Sequence, residues 1–182
     1  MIAVSLAAVA GSVLLLGTAS SQQAVGDTLR RTIAAGLAEQ LMDEVLGQRY
    51  CAPGTDGYET SLGPNSWEAA GVGRQRYNDI DDYHNVRTTP PKDLWGIELG
   101  KDNGQGGTRP AAFQAPGNLM ANWRQEIDVY YVSASNLNTK LSSGQVSDYR
   151  VVEVRITEYV PNVGWKQWAR LRRVVAYEPL LP

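Results

Sequence analysis

The chain has 182 residues but only one cysteine and one histidine. A lone Cys51 excludes an internal disulfide, and its expected state is a partly buried free thiol. A lone His84 excludes a two-histidine metal site. There is no Asn-x-Ser/Thr sequon and no internal repeat. Catalytic signatures are missing too: no Gly-x-Ser-x-Gly elbow, no Walker loop and no His-Glu-x-x-His. Gly104-Gln105-Gly106-Gly107 lacks the Lys-Ser/Thr that would make it a phosphate loop. Cys51 and His84 have no recognisable nucleophile–base context. The expectation is a protein without catalysis of its own.

Two further absences shape the first third of the chain. No proline occurs before Pro53, and the first ionisable side chain is Asp27. Lys+Arg 17 and Asp+Glu 19 sum to 36 charges, and none lies in residues 1–26. The formal net charge of -2 points neither to a nucleic-acid binder nor to an acidic tail.

Those absences permit one uninterrupted helix from Met1 to about Gly47. Residues 1–19 would span roughly 28 Å as a helix, close to the hydrocarbon thickness of a bilayer. Ile2, Val4, Leu6, Val9, Val13, Leu14, Leu15 and Leu16 supply its apolar bulk. Ser5, Gly11, Ser12 and Gly17 let other helices approach closely in lipid. A cleaved signal peptide needs a basic start, and no Lys or Arg precedes the apolar run. A plain signal anchor is the second reading. The third is an anchor that merges into an amphipathic helix, and the residues after Ala24 favour it. Val25, Leu29, Ile33, Leu37, Leu41 and Val45 recur every four residues, flanked by Ala34, Ala38 and Met42, while Arg30, Arg31, Glu39, Gln40, Asp43 and Glu44 occupy other faces. That stripe is expected to pack on a sheet.

An apolar helix that turns amphipathic, together with residues 1–7 (MIAVSLA) and 37–45 (LAEQLMDEV), resembles type IV pilin-like proteins, including the pseudopilins of type II secretion. The run Asn78-Asp79-Ile80-Asp81-Asp82-Tyr83 ahead of Pro90-Pro91 is similar to a pattern in pilin-like proteins of planctomycete-type bacteria. The family's leader, its Gly and the glutamate near the mature start are not in the sequence. The expected true start therefore lies upstream of Met1. The resemblance implies a subunit, minor rather than major, of a pilus-like or pseudopilus filament. Its implied partners are other pilin-like subunits, the assembly machinery and the cytoplasmic membrane, with the globular part on the periplasmic side. Neither nucleic acid nor a small-molecule substrate is expected. The alternative is a membrane-anchored periplasmic or surface binding protein.

The chain divides into residues 1–23 (membrane or filament core), 24–49 (amphipathic), 50–122 (loop-rich insertion) and 123–182 (sheet). The insertion is dense in turn formers and shows no sustained periodicity. Trp67, Trp95 and Phe113 are expected to pin it to the domain. Asn78, Asp79, Asp81, Asp82 and Asn85 crowd oxygen-bearing side chains together. Turn and capping duty is the expectation for them. A calcium site at Asp79, Asp81 and Asp82 is the alternative, and no other cofactor is expected.

Beyond residue 122, three runs alternate with period two. In the first, Trp123, Ile127, Val129 and Tyr131 oppose Arg124, Glu126 and Asp128. In the second, Val152, Val154 and Ile156 oppose Glu153 and Arg155. In the third, residues 165–177 place Ala169, Leu171 and Val175 on one face. Pro161-Asn162-Val163-Gly164 reads as the hairpin turn between the last two. The basic residues here are interleaved with acids, so cross-strand ion pairs are expected. The fold class is therefore α+β and pilin-like, with a long helix on an antiparallel sheet of about three to four strands.

Overall fold

The computed structural model describes the backbone of residues 2–178, and the side chains of residue 18 and of 20–178. The eight apolar residues assigned to the membrane half, Ile2 through Leu16, lie outside the described side chains. Helix α1 runs Ile2–Leu46 and ends where Gly47 donates to the Asp43 carbonyl at 3.0 Å. Helix α2, Ser66–Ala69, is a single turn closed by a capping box of Asn65 and Glu68. The sheet contains β1 (Val86–Thr88), β2 (Trp123–Ser133), β3 (Asn136–Lys140), β4 (Tyr149–Val160) and β5 (Gly164–Ala176).

The architecture is α+β, and every strand pair is antiparallel. The order is β1-β2-β4-β5, with β3 also paired to β2, giving five strands where three to four were expected. The three long strands are the three alternating runs of the sequence. The other two are short. β1 belongs to the insertion, and β3 is exposed along its whole length, so neither could show a two-faced pattern.

Helix α1 packs on β4 and β5. Residues paired across a ladder share a face, and Ile127↔Val154, Val129↔Val152 and Ile156↔Ala169 place the apolar set on the helix side. Ala34, Ala38, Leu41, Met42 and Val45 of the helix join Ile127, Val129, Val152, Val154 and Ile156 in one core. On the other face, Arg155 reaches Glu126 at 3.3 Å and Glu153 at 3.0 Å, and also contacts Asp128. Arg170 meets Glu153 at 2.7 Å. These are the cross-strand pairs that the interleaved charges predict.

The third run holds one irregularity. The register shifts between Ile156 and Thr157, whose partners are Ala169 and Gln167. Trp168 is the extra residue of this bulge. It is buried with the helix-side core, and its indole N–H donates to Glu158 at 2.8 Å. The guanidinium groups of Arg30 and Arg31 each lie 6.0 Å from its ring.

The insertion is not pinned by the expected aromatics. Trp67 and Phe113 are exposed, as is part of Trp95. Ile80 and Tyr83 enter the core instead. The buried Gln125 carboxamide oxygen also tethers the insertion, accepting from the Thr88 hydroxyl (2.7 Å) and the Lys92 N–H (2.8 Å). Arg74 forms a bidentate pair with Glu44 of α1 at 2.7 and 2.8 Å. This segment is held by polar contacts, which apolar periodicity does not report.

Candidate functional site: a bared helix face and a buried acidic corner

The stripe expected to face the sheet divides in two. Leu41 and Val45 are buried, while Ile33 and Leu37 are partly buried against the core. Val25 and Leu29 are 68% and 58% exposed, contrary to expectation. Helical geometry explains the split. At about 100° per residue a four-residue step overshoots one turn by about 40°, so five steps rotate the stripe by about 200°. A strict i, i+4 series therefore winds off the sheet, and the contact passes to Ala34, Ala38 and Met42, which are buried.

Where the stripe leaves the sheet it forms a surface. Ser21, Ala24, Val25, Thr28, Leu29 and Thr32 line one shallow, largely apolar face on the side of α1 turned away from the strands. The Thr28 hydroxyl donates to the Ala24 carbonyl at 2.9 Å, and that of Thr32 to Thr28 at 3.0 Å. Both hydroxyls are satisfied within the helix, so covering them strands no hydrogen-bond donor. On the opposite side, Lys166 lies 3.6 Å from Asp27 and Arg30 lies 3.2 Å from Glu158. The same two turns of helix are thus clamped to β4 and β5 on one side and bare on the other.

The second feature is the corner where the end of α1, the insertion and β4 meet. Arg150 of β4 is fully buried. It donates to the Tyr50 carbonyl (2.6 Å), Asp81 Oδ1 (3.0 Å), the Gly57 carbonyl (3.2 Å) and the Tyr131 hydroxyl (2.8 Å). Its guanidinium carbon stands 4.4 Å from the centre of the Tyr50 ring. Sequence reading missed this residue, because Arg150 opens a strand where an alternating pattern assigns charge to solvent.

Asp79, Asp81 and Asp82 are all buried in this corner. Asp79 Oδ1 accepts from the backbone N–H groups of Asp81 and Asp82 at 3.2 and 3.3 Å. Asp82 Oδ2 accepts from the Asn78 N–H at 2.8 Å. This is the turn-and-cap duty expected of them. Among the described residues no group of three or more His, Cys, Asp or Glu side chains gathers where it could hold a metal ion.

The carboxyl of Asp81 lies in hydrogen-bonding reach of Asp79, and that of Asp82 in reach of Glu68. Burial and then the charge of Asp79 push Asp81 up to about 8, against the pull of Arg150. Burial, opposed by the Asn78 N–H, and then Asp79 and Glu68 push Asp82 up to about 7.

No protein-family model, curated protein or solved structure matches the chain.

Two polar cavities flank His84, of about 330 and 380 Å³. Cys51 lines a separate cavity with Tyr50, Pro53 and Tyr177. The structure therefore does not bring the lone thiol and the lone imidazole into one cavity. Burial raises the Cys51 thiol above its ordinary value, which disfavours the thiolate. Among the described residues no helix is long and apolar enough to cross a membrane. The span expected over residues 1–19 falls almost wholly outside the side chains described.

Proposed function

We propose that the chain is a subunit of a type IV pilus-like or type II secretion pseudopilus filament, of the minor kind, assembling through α1. The observation that carries this reading is the bared face of Val25 and Leu29 on a helix otherwise clamped to its sheet. An apolar face with satisfied hydroxyls suits burial against another helix, and its small residues allow close approach. Residues 1–26 carry no charge, so the same surface can continue toward the N-terminus without a desolvation penalty for an ion. In this reading the globular part lies on the periplasmic side, the first residues sit in the cytoplasmic membrane before assembly, and no step needs catalysis in this chain.

The test separates assembly from folding. Leu29→Asp and Val25→Asp place a charge on the bared face without touching the core. Both variants should melt within about 0.5 kcal/mol of the parent, the usual range for surface substitutions. Both should fail to enter filaments or higher oligomers. Assembly at the parental level by the doubly substituted chain would refute the reading.

A further inference from the structure

The long strands run nearly parallel to α1. Arg150 bonds the Tyr50 carbonyl just past the helix, and Glu158 bonds Arg30. That is sixteen helical steps from Arg30 to Leu46, roughly 24 Å at 1.5 Å each, plus the short turn to Tyr50, against eight along β4, roughly 26 Å at 3.3 Å each. The β4–β5 hairpin continues past this clamp. Its turn lies about four residues further on, ~13 Å, level with about residue 21 of the helix. That level falls within the uncharged first 26 residues, at the polar stretch Ser20-Ser21-Gln22-Gln23 next to the apolar run.

The tip has a distinct composition. Val163 at the turn is 72% exposed. Tyr159 and Trp165, cross-strand partners, are 47% and 40% exposed and meet edge-to-face at 5.5 Å. The guanidinium of Arg124 lies over the Trp165 ring at 3.5 Å. Lys166, Arg30 and Arg31 stand close behind, around Trp168, the first two paired with Asp27 and Glu158. An exposed apolar turn, a Trp–Tyr pair and surrounding Arg and Lys form the composition that settles at a bilayer interface. Aromatic rings lie at headgroup depth there, and cations meet anionic lipid.

We propose that the Tyr159–Trp165 hairpin tip is a membrane-interface contact. While the subunit awaits assembly, the tip docks on anionic lipid headgroups and sets the tilt and height of the globular part. This rests on the reading that the N-terminal half of α1 sits in the bilayer. The tip then serves as a second foothold, so the domain stands on the membrane at two points instead of swinging on one helix.

The test uses the full chain in liposomes of phosphatidylcholine and phosphatidylglycerol with brominated acyl chains, which quench nearby indoles. Flotation with the vesicles reports the anchor; loss of fluorescence reports the tip. Trp165→Phe is the comparison: Trp123 and Trp168 are buried in the core, and the exposed Trp67 and Trp95 belong to the insertion and contribute equally to parent and variant. The expected result is flotation of both proteins, with the variant losing about half or more of the bromolipid quenching seen in the parent. An unchanged far-ultraviolet dichroism and melt of Trp165→Phe confirm that it is folded. Flotation with equal quenching in parent and variant overturns the tip contact and leaves the anchor standing. Failure of the parent to float overturns the anchor and the tip contact together.

Discussion

Arg150 is the residue on which the acidic corner depends. It is fully buried and joins the end of α1, the insertion, β2 and β4 through four hydrogen bonds. Removing the guanidinium leaves the buried oxygens of Tyr50 and Asp81 without this donor. Arg150→Met should lower unfolding free energy by about 3–5 kcal/mol, measured by urea titration. The corner also responds to pH. Asp81 at about 8 and Asp82 at about 7 hold protons in the folded chain at pH values where the unfolded chain has released them. Their contribution is complete below about pH 4 and is lost as pH rises through those values. Glu153 works in the opposite sense. Burial alone would raise it, but hydrogen bonds from Arg170 and Tyr130 hold it below its ordinary value. Its contribution is lost only in more acidic solution, below the window in which the two aspartates act. The melting temperature should therefore fall between about pH 5.5 and about pH 8.5, and Asp82→Asn should flatten the decline. A parent melt that climbs across that interval contradicts the assignment. Beyond the turn-and-cap duty of its acids this corner was not legible in the sequence, because the partner that explains Asp81 lies 69 residues away.

At the scale of elements, the helix shows how far periodicity carries. Its existence and its end near Gly47 followed from apolar spacing and the absence of proline. Its buried face followed in part: Ile33, Leu37, Leu41 and Val45 meet the core, while Val25 and Leu29 wind off it because a four-residue repeat rotates by about 40° per step. Ala34 and Ala38 bring the helix close to the sheet, and both are fully buried. Ala38→Leu should overfill that contact and lose about 1–3 kcal/mol in denaturant unfolding. Gly36 is the converse case. It lies mid-helix and exposed, and a Cβ there meets nothing within 4 Å. Gly36→Ala should raise stability by about 0.5–1 kcal/mol in the same measurement. In β5 the alternating pattern holds from Ala169 onward, with Leu171 and Val175 also against the core; at Trp168 one extra residue reverses the parity toward the turn. A bulge leaves little trace in residue types, so only the paired strand reveals it.

For the whole molecule, the α+β arrangement of one long helix on an antiparallel sheet was readable, because the three long strands coincide with the three alternating runs of the sequence. β3 was not, being short and exposed throughout, nor were β1 and the attachment of the insertion, which rest largely on contacts between distant residues. The consequence for function is the contrast along α1: its last turns are consumed by the core, while Val25 and Leu29 face outward. The most direct measurement places a thiol on that face. In a Cys51→Ser background, Leu29→Cys and, as control, the buried Ala38→Cys are treated in membranes with a short bis-maleimide. With one thiol per chain the covalent product is limited to two copies, and the filament account predicts a cross-linked dimer for Leu29→Cys and monomer alone for Ala38→Cys. Monomer alone from Leu29→Cys, in chains shown to be membrane-embedded and folded, would contradict it.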